Sequence, residues 1–536
     1  MKIKATLLII ELVMAYCFTF AATYYVDKGM GKSGNGTIPS PWKNISDIKN
    51  ILPGDTILFK RGGTWNSALT PVSGATGLYV TYGAYGTGIK PKLAGFDADG
   101  KSYVKVQELE FNSSTSNGAA LTNAHHITMD GCNIYTSATG WAPALSIATN
   151  SHHHQILNCD IALTTPSMND AVNLRGNADY NLFQGNTIRV GGQHGAFSLE
   201  GASGGSLGGT ANYNIIKNNH MISTGGSLLQ ILSNSDWNLI EGNTFSGCGS
   251  DYAYARHEVT FKVVTKFNIV RKNILKGNSC SDGLGLLLEA YSYDYSYGTI
   301  NNIPTNNHVY NNIITGIYPG GTALFIGTNG SAGLSVYNNY FKNNAFFNNG
   351  GTYYQTDLDG SWPTYTANAQ IHVTTESVVY NNYFTNNLFY KSNATSIMWV
   401  NGSSLQAINP VQSANPKLYK GNIQEAPTLD VNFKPLIGSP TIDAGVELTT
   451  ITSASGSGKS FVVADPLYFT DGMRIISGDT IRIGSQTAVI MEINYNTKVL
   501  TLDRAVSWTQ GGGVSLSYFG SAPDIGVYEY TSIPAQ

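Results

Sequence analysis

The chain is patterned at two lengths. Short runs alternate apolar and polar positions, as in AVNLR (171–175), AFSLE (196–200), VTFK (259–262) and LLLE (286–289). Alternation with period two predicts β-strands that bury one face. After such runs comes a longer phrase of the form Asn-apolar-apolar-x-x-Asn-x-apolar. It is heard in YNLFQGNTI (180–188), NIIKNNHM (214–221), NLIEGNTF (238–245), NIVRKNIL (268–275) and NHVYNNII (307–314).

Aligning the phrases on their second Asn gives a column of Cys132, Cys159, Asn186, Asn219, Asn243, Asn273, Asn312, Asn339 and Asn382. Two residues later an apolar column holds Ile134, Ile161, Ile188, Met221, Phe245, Leu275, Ile314, Phe341 and Phe384. Most steps run from 24 residues (Asn219 to Asn243) to 33 (Asn186 to Asn219). Repeats of this length mark stacked architectures. Short strands, Asn/Gly turns and the absence of helical periodicity select a parallel β-helix over a leucine-rich or helical solenoid. Each coil then lies about 4.8 Å above the last. The repeated Asn occupies one bend, where unusual backbone angles are tolerated, and its amide can bond up the stack. Cys132 and Cys159 take two neighbouring rungs as buried thiols rather than a disulfide.

The ends break the pattern. Lys2 and Lys4 precede an apolar run closing on Ala21 and Ala22, which predicts an export signal at 1–21, with a membrane anchor as the alternative. Residues 22–100 form an N-terminal cap and first coils, in which ISDIKNIL (45–52) is a candidate capping helix, since an open solenoid end must be covered. The β-helix proper spans 101–430. The C-terminal region, 431–536, contains an inserted small β module at about 455–520, read from DTIRIG, AVIMEI, KVLTLD and GVSLSYF.

Composition narrows the function. Charged residues are 12% of the 536, net charge is -3, and Gly (59) and Tyr (32) are abundant. A nucleic-acid binder would show a basic excess, and a disordered chain would not reach 42% hydrophobic residues. After signal removal four cysteines remain, without a CxxC pair, so neither a disulfide framework nor a zinc site is indicated.

PGDTILFKRGGTW (53–65), the Asn-rich coils and the terminal APDIGVYEY (522–530) resemble the secreted right-handed parallel β-helix proteins of the pectate-lyase-like superfamily. The resemblance covers nearly the whole mature chain. It implies an all-β right-handed parallel β-helix, export to the extracellular space or periplasm, and activity on carbohydrate. It does not fix the reaction, because the fold hosts lyases, hydrolases, epimerases and adhesins. SMNDAV (167–172) and GQHGAF (192–197) are similar in part to polygalacturonase motifs, but the paired aspartates and Arg-x-Lys of that family are missing.

Strand alternation points Asn173 and Arg175, Ser198 and Glu200, Gln230 and Leu232, Thr260 and Lys262, and Leu287 and Glu289 outward. Counting back from the first Asn of each phrase aligns Arg175, Leu232 and Lys262. With Glu200, Glu289 and Gly327 placed by strand pattern, they form one outward column. A surface charge ladder is one reading; a polysaccharide cleft is the other. Tyr-rich loops SDYAYARHE (250–258) and EAYSYDYSYG (289–298) flank the column and offer flat faces to sugar rings. Catalytic candidates are therefore Lys262, His257, Arg256, Glu258 and Glu289. Arg175, Glu200, His194, Tyr254, Tyr291 and Tyr293 are candidate substrate contacts.

A β-elimination lyase needs a base and a cation that stabilises the developing enolate. Lys262 or His257 can be the base, with Arg256 or Arg175 facing a uronate carboxylate, although a Glu beside Lys262 would make it a poorer base. A glycoside hydrolase needs carboxyls about 5–9.5 Å apart; Glu200 and Glu289 are about 14 Å apart by strand spacing. The lyase leads. A hydrolase, or a non-catalytic glycan-binding or adhesive β-helix, is the alternative. The histidines of HHH (152–154), with His125 and His126, suit turn slots better than a metal. No cofactor is expected, since calcium lacks an acidic cluster. The expected partner is a polysaccharide, not nucleic acid or membrane, and the expected state a monomer.

Overall fold

The computed structural model describes residues 21–165, 169–190, 195–202, 207–223, 227–247, 259–277, 284–295, 298–317, 322–328, 333–350, 369–374, 378–400 and 405–531. Within strands, the side chains of 259–262, 293 and 295 lie outside that description. So does the expected signal, apart from residue 21.

Three parallel β faces wind around one apolar core. The first face is a 14-stranded sheet that begins at Thr23–Val26 and ends at Tyr419–Lys420. The other two faces are long runs within a 24-stranded sheet. One climbs through Asn133–Thr136, Asp160–Leu163 and Thr187–Val190; the other through Leu145–Ala148, Val172–Arg175, Phe197–Glu200 and Leu229–Leu232. Both join at Lys92–Asp97, which pairs with strands of each run. Coiling thus starts within the N-terminal region. There ISDIKNIL yields only a 3-10 turn, Ile45–Asp47. Pro53 disfavours helix in the residue before it, and the chain extends again from Ile48 to feed Thr56–Lys60.

Asparagine stacks in two ladders rather than one. The first runs Asn181, Asn214, Asn238, Asn268, Asn307, Asn339 and Asn382. The second runs Asn186, Asn219, Asn243, Asn273, Asn312, Asn344, Asn387 and Asn422. Interior rungs of the second ladder repeat one device. Asn243 Oδ1 accepts from the backbone N–H of Asn219 (2.9 Å) and from Asn219 Nδ2 (3.0 Å). Asn243 Nδ2 donates to Ile216 O (2.8 Å) and Asn273 Oδ1 (3.0 Å). Each rung satisfies backbone that a tight turn leaves without a sheet partner.

Two expectations change here. Asn339 and Asn382 belong to the first ladder, and the second continues through Asn344 and Asn387, so Ile314 is followed in register by Phe346 and not by Phe341. The local phrase recurs five residues apart in YNNYFKNNAF (337–346), which hides the switch. The unusual backbone angle also falls one residue earlier than expected. Asn158, Asn218, Lys272, Asn311, Asn343 and Asn386 have φ of 50–55°, each just before a second-ladder position. Cys159 takes its rung as expected: its N–H donates to Asn186 Oδ1 (2.8 Å), and both it and Cys132 are free, buried thiols.

Before the first ladder the left-handed position carries aromatic rings: His153, Tyr180, Tyr213, Trp237 and Phe267. They stack face to face, with centroids 4.5–6.2 Å apart. His154 fills the next slot, fully buried, accepting the Ile127 N–H at Nδ1 (3.2 Å), and burial pushes its pKa down to about 3.

A 6-stranded antiparallel sheet, Thr449–Thr450 through Gly513–Leu516, forms near the C-terminus and packs on the outer side of the 14-stranded face. Leu182, Ile215, Leu239 and Ile269 supply the apolar contact. Its centre is Arg271, whose guanidinium bonds Asp479 through both terminal nitrogens (2.7 and 2.5 Å), Glu241 (3.0 Å) and the Tyr310 hydroxyl (2.9 Å). The fully buried cation is neutralised on two sides, as burial of charge requires. Nearby, burial lowers the Lys342 ammonium to about 8, and its Nζ donates to Leu448 O (2.8 Å). Among the described residues no helix is long and apolar enough to cross a membrane.

Candidate active-site groove

Val172 and Leu174, Phe197 and Leu199, and Leu229 and Ile231 are fully buried in the core, so the alternate residues of these strands point away from it, although Asn173 and Ser198 among them are buried as well. Two outward columns lie side by side. The first is Ser146, Asn173, Ser198, Gln230, Lys262, Leu287, Phe325, His372 and Trp399. The second carries Arg175, Glu200 and Leu232, then Val264, Glu289 and Gly327, one residue beyond the pairs Ile231–Val263 and Val263–Leu288.

Lys262 is therefore not in the Arg175 column. It pairs with Gln230 and Leu287, two residues upstream of the expected place, about 7 Å along the strand. The cause is turn length. Five residues separate Leu232 from Asn238, but only three separate Val264 from Asn268. Counting back from the Asn across a shorter turn overshoots the column by two residues. Even slips keep the face of a strand; the Lys262 side chain itself lies outside the described residues.

The shift changes its surroundings. Neither register neighbour of Lys262 is charged, and Leu287 and Phe325 above it are buried together in a small outer apolar cluster with Leu284. Below Lys262 the column is polar; above it, aromatic. His372 stacks on Trp399 (5.6 Å) and tilts on Phe325 (5.1 Å), and burial drives its imidazole down to about 3.

Arg175 and Glu200 do meet, Nε to carboxylate at 3.5 Å, with side chains 35% and 17% exposed. Glu289 is buried in the same column, three coils from Glu200. Sequence reading overlooked the carboxylate beside them. Asp170 is buried, and its oxygens accept from Asn173 Nδ2 (2.8 Å) and the Gly195 N–H (2.8 Å). Its signal was present in SMNDAV, where an Asn-Asp pair immediately precedes an outward-facing strand.

The strand Leu284–Tyr295 leaves the stack as a hairpin with Gly298–Asn302, pairing Tyr291 with Asn302 and Tyr293 with Ile300. Asn302 Oδ1 accepts the Ser233 N–H (3.1 Å), which ties the hairpin to the coil of Leu232. Tyr291 is half-buried there, and the side chain of Tyr293 is not described. His194, Tyr254, Arg256, His257 and Glu258 lie outside the described residues. Among the described residues, no His, Cys, Asp and Glu side chains gather as a metal-binding group.

Comparison with known proteins agrees with this fold. Residues 94–278 match the family model for the right handed beta helix region. No curated protein matches the chain in sequence. Solved structures similar to it include a family 136 glycoside hydrolase, the lacto-N-biosidase of Eubacterium ramulus, at 13% identity and TM-score 0.41, covering 76% of this chain and 67% of that one. Pectate lyase Pel9A is similar at 15% identity and TM-score 0.38, over 81% of this chain and 94% of that one. A mannuronic-acid-specific family 6 polysaccharide lyase from human gut microbiota is similar at 12% and 0.45, over 77% and 92%. At these identities and scores the likenesses assign no reaction.

Proposed function

We propose that the protein is an exported polysaccharide lyase that cleaves uronate-containing glycans by β-elimination, with Lys262 as the base. The carrying observation is the register of Lys262, between uncharged Gln230 and Leu287 and next to an apolar cluster. A lysine must shed its proton to act as a base, and low-dielectric surroundings favour the neutral amine. Glu289 stands level with Val264, two residues along the adjacent strand from the register partner of Lys262. Arg175 is three coils below, about 14 Å by strand spacing, and serves a neighbouring uronate carboxylate rather than the reacting one. Arg256 and His257, in the segment preceding Lys262, remain candidates for enolate stabilisation and proton transfer.

A hydrolase is the second reading, favoured by Asp170. One strand spacing and two residues separate Asn173, which Asp170 grips, from Glu200. That puts the backbones of Asn173 and Glu200 on the order of 8 Å apart; the Asp170 carboxylate stands on the Asn173 side of this gap, and inversion uses a carboxyl span of about 6.5–9.5 Å. Yet Asp170 is held by two hydrogen-bond donors and Glu200 by a guanidinium.

Lys262→Ala and Asp170→Asn separate the readings. For a lyase, Lys262→Ala abolishes turnover while retaining substrate binding, since a group used only in the transition state lowers kcat. Full activity in Lys262→Ala with loss in Asp170→Asn would transfer the chemistry to the carboxylates.

A further inference from the structure

We infer that His125, His126, His152 and His153 form a proton-dependent anion site, which on acidification takes up carboxylates of a uronate-bearing polysaccharide. The inference rests on the uronate reading above, though not on the reaction or on Lys262. On two successive coils a pair of histidines occupies the corner that follows the strands Ala119–Thr122 and Leu145–Ala148. Nδ1 of His125 stands 3.0 Å from Nδ1 of His126, and Nδ1 of His152 stands 2.8 Å from Nδ1 of His153. The pairs stack coil on coil, His125 on His152 with centroids 5.4 Å apart and His126 on His153 at 5.0 Å. Higher coils fill the same two positions with Asp179–Tyr180, Asn212–Tyr213, Asp236–Trp237 and Lys266–Phe267. Ring stacking at this corner therefore does not require histidine, and a second ring before the stacked one is not required either.

The short contacts fix how the patch takes protons. In an Nδ1···Nδ1 hydrogen bond one ring donates and the other accepts. A first proton enters at Nε2 of the donor ring and leaves a charge-assisted bond in place. A second proton in the same pair must enter the accepting Nδ1, which sets two donors against each other. Each coil thus holds one added proton, and the two charges lie about one coil apart. Burial, and after it the neighbouring imidazoles, holds His126, His152 and His153 below the usual histidine range. An anion that prefers the protonated patch raises its proton affinity by the same factor that protons raise the anion's.

The surroundings supply little counter-charge. Asp179, one coil above, favours a proton on His152, but its oxygens accept from the Asn212 N–H (2.6 Å) and the Thr210 hydroxyl (2.8 Å). Tyr103 stacks beneath His126 and Tyr180 above His153, with Arg474 acting on Tyr180. His154 is fully buried behind the patch, with its own pKa pushed down to about 3. Asp99 accepts from Asn123 Nδ2 (3.4 Å), and the Lys101 carbonyl accepts the His125 N–H (3.1 Å). Among the described residues no carboxylate pairs with any of the four imidazoles. A ligand carboxylate fills that gap, and in a chain of net charge -3 a polyanion needs such a local cation. The corner is also within reach of the candidate site: Ala148 is level with Arg175, and five residues carry the chain to His153, at most roughly 17 Å.

The test is binding of the full-length protein to immobilised polygalacturonate and to its methyl ester, at about pH 5 and about pH 7.5, where the free carboxyls stay ionised. Wild type is expected to bind polygalacturonate about tenfold more tightly at the lower pH, the effect of two exposed ion pairs, with no gain on the ester. The fourfold variant His125→Asn, His126→Tyr, His152→Asn, His153→Tyr copies the Asn212–Tyr213 arrangement and should keep the thermal midpoint while losing the gain. His152→Asn with His153→Tyr removes one charge of the two and should leave a gain of about threefold. A gain that survives in the fourfold variant, or that the ester shares, overturns the site. Wild-type binding that is equal at both pH values also overturns it. A histidine-dependent gain without any unsaturated product keeps the site and removes the lyase. Wild type bound at neither pH removes the site and the uronate reading together.

Discussion

Asn243 shows what a single residue carries in this fold. Its amide closes four hydrogen bonds with the two neighbouring coils, all buried. Asn243→Leu keeps the approximate volume and removes these bonds from the Asn219 backbone N–H and the Ile216 carbonyl, each loss costing roughly 1–3 kcal/mol, while Asn219 Nδ2 keeps Phe183 O and Asn273 Oδ1 keeps the backbone N–H at 243. The expected result is a clear fall in the urea unfolding midpoint; an unchanged midpoint would show that the ladder is ornamental. The ladder's existence was legible because identical chemistry recurs at a fixed bend. Its path past Asn312 was not, because Asn339 and Asn344 sit in the same local phrase and only hydrogen-bonding partners tell them apart. Gly242 illustrates the position before the rung: with φ of 67° and Asn218 Oδ1 2.3 Å from where a Cβ would stand, it leaves no room for a side chain without rearrangement.

Strands were readable as elements, and so were their faces, because alternation fixes which residues leave the core. Register between strands was less readable, because it depends on turns. Asp170, His372 and Trp399 escaped for the same reason: each joins the groove through coils whose loops interrupt the repeat. The corrected register makes a prediction of its own. Leu287→Glu places a carboxylate directly beside Lys262 and should raise the lysine's pKa. The rising limb of the pH–rate profile should then move up by about one unit, with activity recovered at higher pH, while Leu287→Gln, which changes packing without charge, leaves the limb in place. Coincident profiles for Leu287→Glu and wild type would place Lys262 outside the chemistry.

At the scale of the whole molecule, the solenoid is a rigid ruler. It sets polar side chains, a lysine and aromatic rings at one-coil intervals along an outer face, while the C-terminal sheet is bolted to a different face through Arg271. That division was only half visible in sequence. The small β module could be seen as strands, but its docking through Asp479 to Arg271 spans 208 residues, beyond any local pattern. A long outer face suits a polymer, and the proposed β-elimination takes its base from the coil of Lys262. The decisive measurement is the ultraviolet absorbance of products released by the full-length protein from a panel of uronate polysaccharides, read alongside new reducing ends. The account predicts conjugated unsaturated uronate formed in step with each new reducing end, and absent from Lys262→Ala. Reducing ends without unsaturated product would contradict β-elimination and move the chemistry to Asp170 and Glu200.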